Sequence, residues 1–247
     1  MASDREHGRQ KILSVLDPLV AKWFSKKFRV LTPPQKQAIV NIHEGYNTLI
    51  ASPTGSGKTL SAFLSIISEL VRAARNDKLE DQVYCVYISP LRSLNNDIAK
   101  NLREPLAELA DMDECISQIR VGVRTGDTPQ NERAKMLRKP PHILITTPES
   151  IAIILCAPKF REKLRNARWI IVDEIHELCS SKRGVHLSLS LERLDELCQR
   201  SIARIGLSAT IHPLEEVAKF LVGYNNGKEK DCVIVDTRFV KPLKLET

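Results

Sequence analysis

Residues 47–59 restrict the possible folds of this chain more than any other stretch. A short apolar run, Leu49–Ala51, leads into a loop that contains Gly55 and Gly57, and a long helical pattern begins at Lys58. Glycines let a backbone pass close to a phosphate with its N–H groups turned inward. The N-terminus of the following helix adds a dipole that favours an anion. The stretch therefore predicts a strand, a phosphate-binding loop and a helix.

The residues at the end of this loop suit a nucleotide. Lys58 would place its charge on the β- and γ-phosphates, and the Thr59 hydroxyl would bind Mg²⁺. The usual first glycine of G-x-x-x-x-G-K-[ST] is Ser52 here. The alternative, a glycine-rich turn followed by Lys-Thr by chance, is disfavoured by the flanking strand and helix. The predicted nucleotide-binding residues of the loop are Pro53, Thr54, Gly55, Ser56, Gly57, Lys58 and Thr59.

The bulk properties exclude several classes of protein. The 247 residues are enough for one large α/β domain. The net charge of +7 permits a polyanionic partner without showing one. The six cysteines form no C-x-x-C pair and are expected to be free thiols, with no zinc site. With no apolar signal region or membrane span, we predict a cytoplasmic protein that has no membrane partner.

Short apolar strands alternate with helical patterns along most of the chain. Strands are predicted at residues 49–51, 83–89, 119–123, 143–146, 169–172, 202–207 and 233–236. Helices are predicted at residues 35–44, 58–75, 94–109, 130–137, 148–156, 185–198 and 214–221, with one or two more within 12–28. This alternation predicts a mostly parallel sheet of about seven strands with helices on both faces. Ligands of such sheets bind beyond the carboxyl ends of the strands.

Two further motifs follow predicted strands. Asp173 ends an apolar strand, where it could hold Mg²⁺ through a water molecule, and Glu174 could orient or deprotonate an attacking water. Taken alone, Asp-Glu at this place is often a helix cap. Ser208 and Thr210 follow another strand and could bond to His176 or Asp173, and so couple the site to the bound nucleotide.

These motifs resemble a known family. Motifs I, II and III of superfamily 2 helicases resemble Gly55–Thr59, Asp173–His176 and Ser208–Thr210, respectively. The DEIH sequence of the second motif departs from DEAD and fits the DExH helicases of this superfamily. Other segments resemble the Lhr (large helicase-related) family, namely Trp23–Phe24, Phe28, Thr32–Gln35, Ser89–Asp97, Thr125–Pro129, Thr147–Ser150 and Lys182–Gly184. The resemblance runs from about Pro18 to Gly223. It implies a RecA-like P-loop NTPase fold, ATP and Mg²⁺ as cofactors, 3′-to-5′ helicase activity and a role in DNA repair.

The resemblance also implies roles for individual residues. Gln35 matches the glutamine that recognises adenine, with Thr32 beside it and Phe28 as a candidate stacking partner. The residues that match loops holding a nucleic-acid backbone are Pro90, Leu91, Arg92, Asn95, Arg124, Thr125, Gly126, Asp127, Thr147, Pro148 and Glu149. Hydroxyls, loop N–H groups and helix N-termini suit phosphate oxygens and read no base sequence. For Arg92 and Arg124, a solvated surface role is the alternative.

The predicted domain organisation is incomplete for a helicase. Residues 1–46 form an N-terminal helical segment with the glutamine motif, residues 47–240 form the RecA-like ATP-binding domain, and residues 241–247 begin an interdomain linker. We expect this chain to be the first of two RecA-like domains in a longer protein. By itself it should bind ATP·Mg²⁺ weakly, hydrolyse it poorly and not unwind nucleic acid, because the second domain supplies arginines to the γ-phosphate.

The expected partners are ATP, the second RecA-like domain and nucleic acid. DNA is favoured, and a single strand or a DNA/RNA hybrid is possible. Two alternatives remain open at this point. One is a nucleotide- or nucleic-acid-binding module that does not turn over, and the other is a DExH ATPase that remodels RNA or protein–RNA complexes.

Overall fold

The structure of the protein is a computed structural model that describes residues 2–53, 55–198, 200–209, 213–225 and 227–237. Side chains are described at these positions except at residues 2–7 and 92–94. Some predictions therefore fall outside the described part, namely those for Thr54, Thr210, the side chain of Arg92 and the linker 241–247.

The described strands form one large sheet and one hairpin. In chain order they are β1 (Thr48–Ala51), β2 (Cys85–Ile88), β3 (Val121–Arg124), β4 (Ile143–Thr146), β5 (Trp169–Val172), β6 (Ala203–Ser208), β7 (Tyr224–Asn225), β8 (Lys228–Glu229) and β9 (Val233–Asp236). The large sheet has seven strands in the order β3-β4-β2-β5-β6-β1-β9, and all of its pairings are parallel. The predicted seven-stranded α/β fold is confirmed. The β7–β8 hairpin was not predicted.

Helices connect the strands along the whole described chain. They are α1 (Ala2–Val15), α2 (Pro18–Lys27), α3 (Pro33–His43), α4 (Lys58–Arg75), α5 (Arg92–Ala110), α6 (Gln130–Arg138), α7 (Pro148–Cys156), α8 (Pro158–Arg161), α9 (His176–Cys179), α10 (Lys182–Leu197) and α11 (Leu214–Val222). Short 3₁₀ segments occur at Glu114–Gln118 and Glu162–Leu164. None of the helices in the described residues has both the length and the apolarity that crossing a bilayer requires.

The sheet separates two apolar cores. One lies under α1 to α5 and the other under α7 to α11. In β5, Ile171 enters the first core, whereas Ile170 and Val172 enter the second. Successive side chains of a strand point to opposite faces, so a strand covered on both sides must be apolar throughout. This explains why the central strands read as continuous apolar runs in the sequence.

The sheet order brings the predicted motifs to one edge. β6 lies between β1 and β5, and β5 pairs with β2. Because all these strands are parallel, the phosphate loop after β1, Ser208 at the end of β6 and Asp173 after β5 are neighbours. The Ser52 N–H donates to the Ser208 carbonyl at 3.2 Å, which ties the first two of these segments together. The topology therefore assembles a site from segments far apart in the sequence.

One buried histidine predicts a pH-dependent stability. Nδ1 of His142 accepts a hydrogen bond from the Arg120 backbone N–H at 3.1 Å, and the ring is 1% exposed. Burial, followed by the charge of Arg120, lowers the pKa of His142 to about 4. Below its ordinary pKa of about 6.5, the unfolded chain therefore takes up a proton that the folded chain excludes, so the free energy of unfolding falls as pH is lowered.

We expect this histidine alone to remove about 2 kcal/mol of stability between about pH 7 and about pH 5. His142→Asn, whose side-chain oxygen can still accept from Arg120, should lose this contribution to the pH dependence. Urea unfolding of both chains at the two pH values measures it. Equal slopes with pH in the two chains would contradict the assignment.

Candidate nucleotide site and nucleic-acid interface

The phosphate loop surrounds a buried ammonium group. Gly55 and Gly57 have φ angles of 74° and 85°, in the left-handed region that glycine enters at little cost. This turn sets Lys58 at the first position of α4. Lys58 is 6% exposed, and its Nζ donates to the Ser52 carbonyl at 3.4 Å. The loop therefore presents a charged donor at its centre.

Ser52 has a local role at the position where the loop motif usually has glycine. Its side chain is buried, and its Oγ donates to the Ser56 Oγ at 2.6 Å. This bond joins the two ends of the loop across its width. The departure from the motif thus replaces a flexible residue with one that cross-links the loop.

Two residues of the predicted adenine site, Thr32 and Gln35, lie against this loop. A Cβ added to Gly57 would come within 3.4 Å of the Thr32 Oγ1 and 3.5 Å of the Gln35 Nε2. Gln35 is buried, and its Oε1 accepts from the Thr32 backbone N–H at 2.8 Å, which caps α3. The half-buried Phe28 packs on Phe24 with ring centroids 5.0 Å apart. These contacts leave the Gln35 amide N–H groups and the second lone pair of its Oε1 available for a base.

The predicted metal-binding carboxylate is held on both oxygens. Asp173 is 5% exposed. Its Oδ1 accepts from the Glu174 N–H at 2.9 Å, and its Oδ2 accepts a short hydrogen bond from the Tyr87 hydroxyl. Burial raises the pKa of Asp173, and the bond from Tyr87 acts against that rise. Burial also raises the pKa of Tyr87 well above its usual value, so the hydroxyl keeps its proton and donates.

Glu174 lies between two basic side chains. Its Oε1 is 3.9 Å from the Lys58 Nζ, and its Oε2 is 3.5 Å from the His176 Nδ1. Its backbone has φ of 45°, in the left-handed region. Burial raises the pKa of Glu174, and Lys58 opposes this. A carboxylate with a raised pKa accepts a proton from water more readily near neutral pH.

His176 connects this carboxylate to the segment after β6. Its Nδ1 accepts from the Ala209 N–H at 3.4 Å. The sequence predicts contacts from the hydroxyls of Ser208 and Thr210, of which Thr210 lies outside the described residues. The structure instead shows a backbone contact through Ala209, and the buried Ser208 Oγ has no hydrogen-bond partner in the described part of the chain. Among the described residues, His176 thus reaches this segment through a backbone N–H, and its coupling role stays a prediction.

A cavity of about 450 Å³ opens beside these groups. Its polar wall is formed by Gly55, Gly57, Lys58, Thr59, Asp173 and Glu174. Its apolar wall comes from α4 and α5 and includes Phe63 and Leu102. The structure therefore brings the loop, the predicted Mg²⁺ residues and the predicted base to one concave surface.

The predicted nucleic-acid loops lie side by side at the same edge. They follow β2, β4 and β3, which are adjacent in the sheet. The loop after β3 is held by Arg133, which donates to the carbonyls of Thr125, Gly126 and Thr128 at 3.4, 2.8 and 2.8 Å. Asp127 lies in that loop and lines the cleft beside it. The three loops thus form a continuous surface.

Several of the predicted nucleic-acid residues have structural contacts of their own. Thr147 is buried and accepts from the Ser150 N–H at 3.3 Å, which caps α7. The Arg124 guanidinium stacks on the Phe160 ring at 4.3 Å. Asn95 is fully buried, and its amide atoms have no partner among the described residues. The buried Pro148 opens α7, and the exposed Leu91 precedes α5.

Sequence reasoning missed Arg183 as a connector of two of these loops. Arg183 donates to the Glu149 carboxylate at 2.6 Å and to the Pro90 carbonyl at 3.0 Å. It lies on α10, close after Asp173 and Glu174 in the chain. The segment Lys182–Gly184 had been noted only for its resemblance. Nothing in its spacing indicated which groups the arginine would reach.

Comparison with known proteins decides the family. The model of the DEAD/DEAH box helicase family matches residues 32–219. The chain belongs to this family. As a DEAD/DEAH box helicase domain, it is similar to the ATP-dependent helicase Lhr-Core of Methanothermobacter thermautotrophicus, with 57% identity over 98% of this chain and 28% of the relative. It is also similar to the Lhr-Core protein of Saccharolobus solfataricus, with 53% identity over 100% of this chain and 28% of the relative.

A solved structure supports the same placement. The helicase Lhr of Mycobacterium smegmatis, bound to single-stranded DNA and AMP-PNP, superposes on this domain with a TM-score of 0.79 at 44% identity. The match covers 90% of this chain and 28% of that one. The predicted RecA-like fold and the resemblance to Lhr helicases are confirmed. The domain spans about 28% of the length of these relatives.

Proposed function

We propose that this chain is the first motor domain of an ATP-dependent nucleic-acid helicase. The observation that carries the proposal is the convergence of three groups from two distant segments, one after β1 and one after β5. Lys58, Asp173 and Glu174 line one cavity, and the Lys58 Nζ lies 3.9 Å from the Glu174 carboxylate. The similarity to Lhr helicases supports this reading. ATP hydrolysis, translocation and unwinding by the complete protein are all part of the proposal.

The proposed roles begin with phosphate binding. The N–H groups of the loop and the α4 N-terminus face the triphosphate, and Lys58 neutralises its β and γ groups. The Thr59 hydroxyl and the Asp173 carboxylate are the hard oxygen ligands that Mg²⁺ prefers, so the residues fit this ion. Bound Mg²⁺ would neutralise charge that develops on the phosphates. Gln35 and Phe28 would meet the base.

Glu174 is the proposed base. Its carboxylate orients a water and takes its proton as the water oxygen bonds to the γ-phosphorus, and the bond to the ADP oxygen breaks. The His176 Nδ1 lies near the Glu174 carboxylate and accepts from the Ala209 N–H. The family resemblance gives Ser208 and Thr210 a part in this coupling. A change at the γ-phosphate would therefore reach the segment after β6.

Nucleic acid is the proposed second ligand. The loops around Pro90, Thr125 and Thr147 would hold one backbone, with DNA favoured because the similar Lhr of M. smegmatis is bound to single-stranded DNA. A second RecA-like domain would complete the ATP site. The 3′-to-5′ polarity and the DNA-repair role rest on the family resemblance alone. A cytoplasmic location is part of the same proposal, and the six free cysteines support it.

ATPase assays test this function. The chain, and a version extended by a second RecA-like domain, are assayed with single-stranded DNA and with RNA at stated salt. Stimulated hydrolysis is expected only in the extended version, because an arginine from the second domain contributes about 10³–10⁵ in turnover. Strong DNA-stimulated hydrolysis by the present chain would contradict the need for that domain. Nucleotide binding without turnover in either version would favour the binding module, and preferential stimulation by RNA would favour the remodelling ATPase.

Arg183 gives a prediction for the nucleic-acid interface. Arg183→Gln is expected to weaken single-stranded DNA binding about fivefold, equivalent to about 1 kcal/mol, because the loops at Pro90 and Glu149 lose their common partner. Lys182→Gln, which removes the same charge from an exposed neighbour, should have a smaller effect. Fluorescence anisotropy with labelled DNA measures both. Little change in the melting temperature is expected, since exposed ion pairs contribute about 0–1 kcal/mol.

A charge exchange tests whether positions 149 and 183 need opposite charges. Glu149→Arg combined with Arg183→Glu keeps the net charge and can rebuild the pair. We expect it to recover most of the DNA affinity that Arg183→Glu alone loses. No recovery in the exchanged pair would contradict the role of the Glu149–Arg183 contact, and equal losses in Arg183→Gln and Lys182→Gln would show that Arg183 acts only through its charge.

A further inference from the structure

A buried tyrosine contacts the carboxylate that is predicted to bind the metal ion. Tyr87 is the third residue of β2, is 0% exposed and pairs with Ile171 of the neighbouring β5. Its hydroxyl donates to the Asp173 Oδ2. Neither the sequence motifs nor the family resemblance assigns this residue a role. A buried hydroxyl requires a hydrogen-bond partner, and here that partner is the carboxylate at the centre of the site.

The two bonds to Asp173 fix the plane of its carboxylate. The Glu174 N–H holds Oδ1 at 2.9 Å, and the Tyr87 hydroxyl holds Oδ2. A carboxylate bound on one oxygen can still rotate about its terminal torsion, which is broad in most side chains. A carboxylate bound on both oxygens cannot rotate without losing a bond. Tyr87 therefore decides which lone pairs of Asp173 face the cavity.

The tyrosine ring is itself held by the helix of the phosphate loop. It stacks on Phe63 of α4, with centroids 5.4 Å apart and the ring planes 26° from parallel. The same helix begins with Lys58 and continues with Thr59. The Tyr87 ring thus connects the Asp173 carboxylate to α4, the helix that carries Thr59, the other residue predicted to bind Mg²⁺. The positions of Asp173 and Thr59 therefore both depend on the packing of Tyr87 against Phe63.

We propose that Tyr87 is a positioning residue that sets the Mg²⁺ affinity of the nucleotide complex through Asp173. The inference rests on the proposed ATP·Mg²⁺ site and adds a residue to it. Groups that hydrogen-bond to a metal-binding side chain typically change metal affinity by about 10–100-fold when removed. If Tyr87 only filled the core, Tyr87→Phe would keep the ring, keep its stack on Phe63 and leave the metal dependence unchanged.

A magnesium titration tests the proposal without using catalysis. Binding of a fluorescent N-methylanthraniloyl ATP to the 247-residue chain is measured in EDTA and then with rising Mg²⁺. Tyr87→Phe is expected to need about tenfold more Mg²⁺ for half of the fluorescence change, with its Mg²⁺-free affinity within about twofold of the parent chain. Tyr84→Phe is the matched control. It is a buried tyrosine just before β2, and its hydroxyl contacts Lys78 and Glu80 instead of the site.

The outcomes separate this inference from the function on which it depends. A parent chain that responds to Mg²⁺, together with an unchanged Tyr87→Phe titration, overturns the role of Tyr87 and leaves the ATP·Mg²⁺ site standing. A parent chain with no Mg²⁺ response overturns both. An equal shift in Tyr84→Phe also overturns the inference, since any lost tyrosine hydroxyl would then have the same effect.

A second measurement covers the case in which Tyr87→Phe does not fold. 3-Fluorotyrosine placed at position 87 keeps the hydroxyl donor. Its ¹⁹F resonance should move when Mg²⁺ is added to the nucleotide complex and should stay in place in the Asp173→Asn chain. The proposal would be overturned if, in the chain that keeps Asp173, nucleotide binding responds to Mg²⁺ but the ¹⁹F resonance does not move.

Discussion

Glu174→Gln is expected to slow ATP hydrolysis by at least about 10²-fold, the lower end of what a positioned general base contributes, and to leave ATP bound. Glutamine has nearly the same size but cannot take a proton from water. It also ends the charge contact with Lys58 at 3.9 Å. Single-turnover hydrolysis, measured in the version extended by a second domain, tests the rate, and nucleotide fluorescence tests the binding.

The matched control is Glu177→Gln. Glu177 is an exposed residue of α9, three positions further along the chain, and its substitution removes the same charge from the same segment. Hydrolysis should continue at close to the parental rate in this variant. If Glu174→Gln hydrolyses ATP as fast as the control does, the base is another group and the assignment of Glu174 is wrong.

Lys58→Ala is expected to weaken ATP binding by about a hundredfold, because hydrogen bonds to charged groups contribute about 1.5–3 kcal/mol and each 1.4 kcal/mol is about tenfold in affinity. The Lys58 ammonium is nearly buried, and its nearest described carboxylate oxygen is 3.9 Å away. Without nucleotide it is therefore a buried charge with weak compensation. Its removal should not lower the melting temperature of the free protein.

That combination of results distinguishes a lost ligand contact from a damaged fold. Lys36→Ala removes an exposed lysine from α3 and should leave both affinity and melting temperature close to the parental values. Nucleotide titration and thermal unfolding of the three chains give the comparison. Unaltered ATP affinity in Lys58→Ala would show that the loop does not hold the phosphates in the proposed way.

Local sequence patterns predicted the elements well because each depends on neighbouring residues. The strands at 143–146, 169–172 and 233–236 and the helices at 58–75 and 148–156 have the predicted bounds. The predicted strand 83–89 is shorter, Cys85–Ile88. The flanking residues Tyr84 and Ser89 are as buried as the strand itself, so apolarity alone did not mark its ends.

Contacts between distant segments could not be predicted in the same way. The order β3-β4-β2-β5-β6-β1-β9 is not a property of any one segment, and it decides that Tyr87 of β2 lies beside Asp173. Arg183 likewise reaches Pro90, far away in the sequence. Motif positions indicated several of the residues that line the cavity beside the phosphate loop. The second partners that hold those residues depend on side-chain directions set by the packed fold.

The backbone conformation of Glu174 means that the residue proposed as the catalytic base lowers the stability of the folded domain. A non-glycine residue with φ of 45° typically costs the folded state about 1–3 kcal/mol, and glycine would be free of most of that strain. A laboratory evolution experiment that selected this domain for heat tolerance alone would therefore tend to discard the carboxylate. Selection schemes for hardier forms of this domain need a turnover requirement in every round.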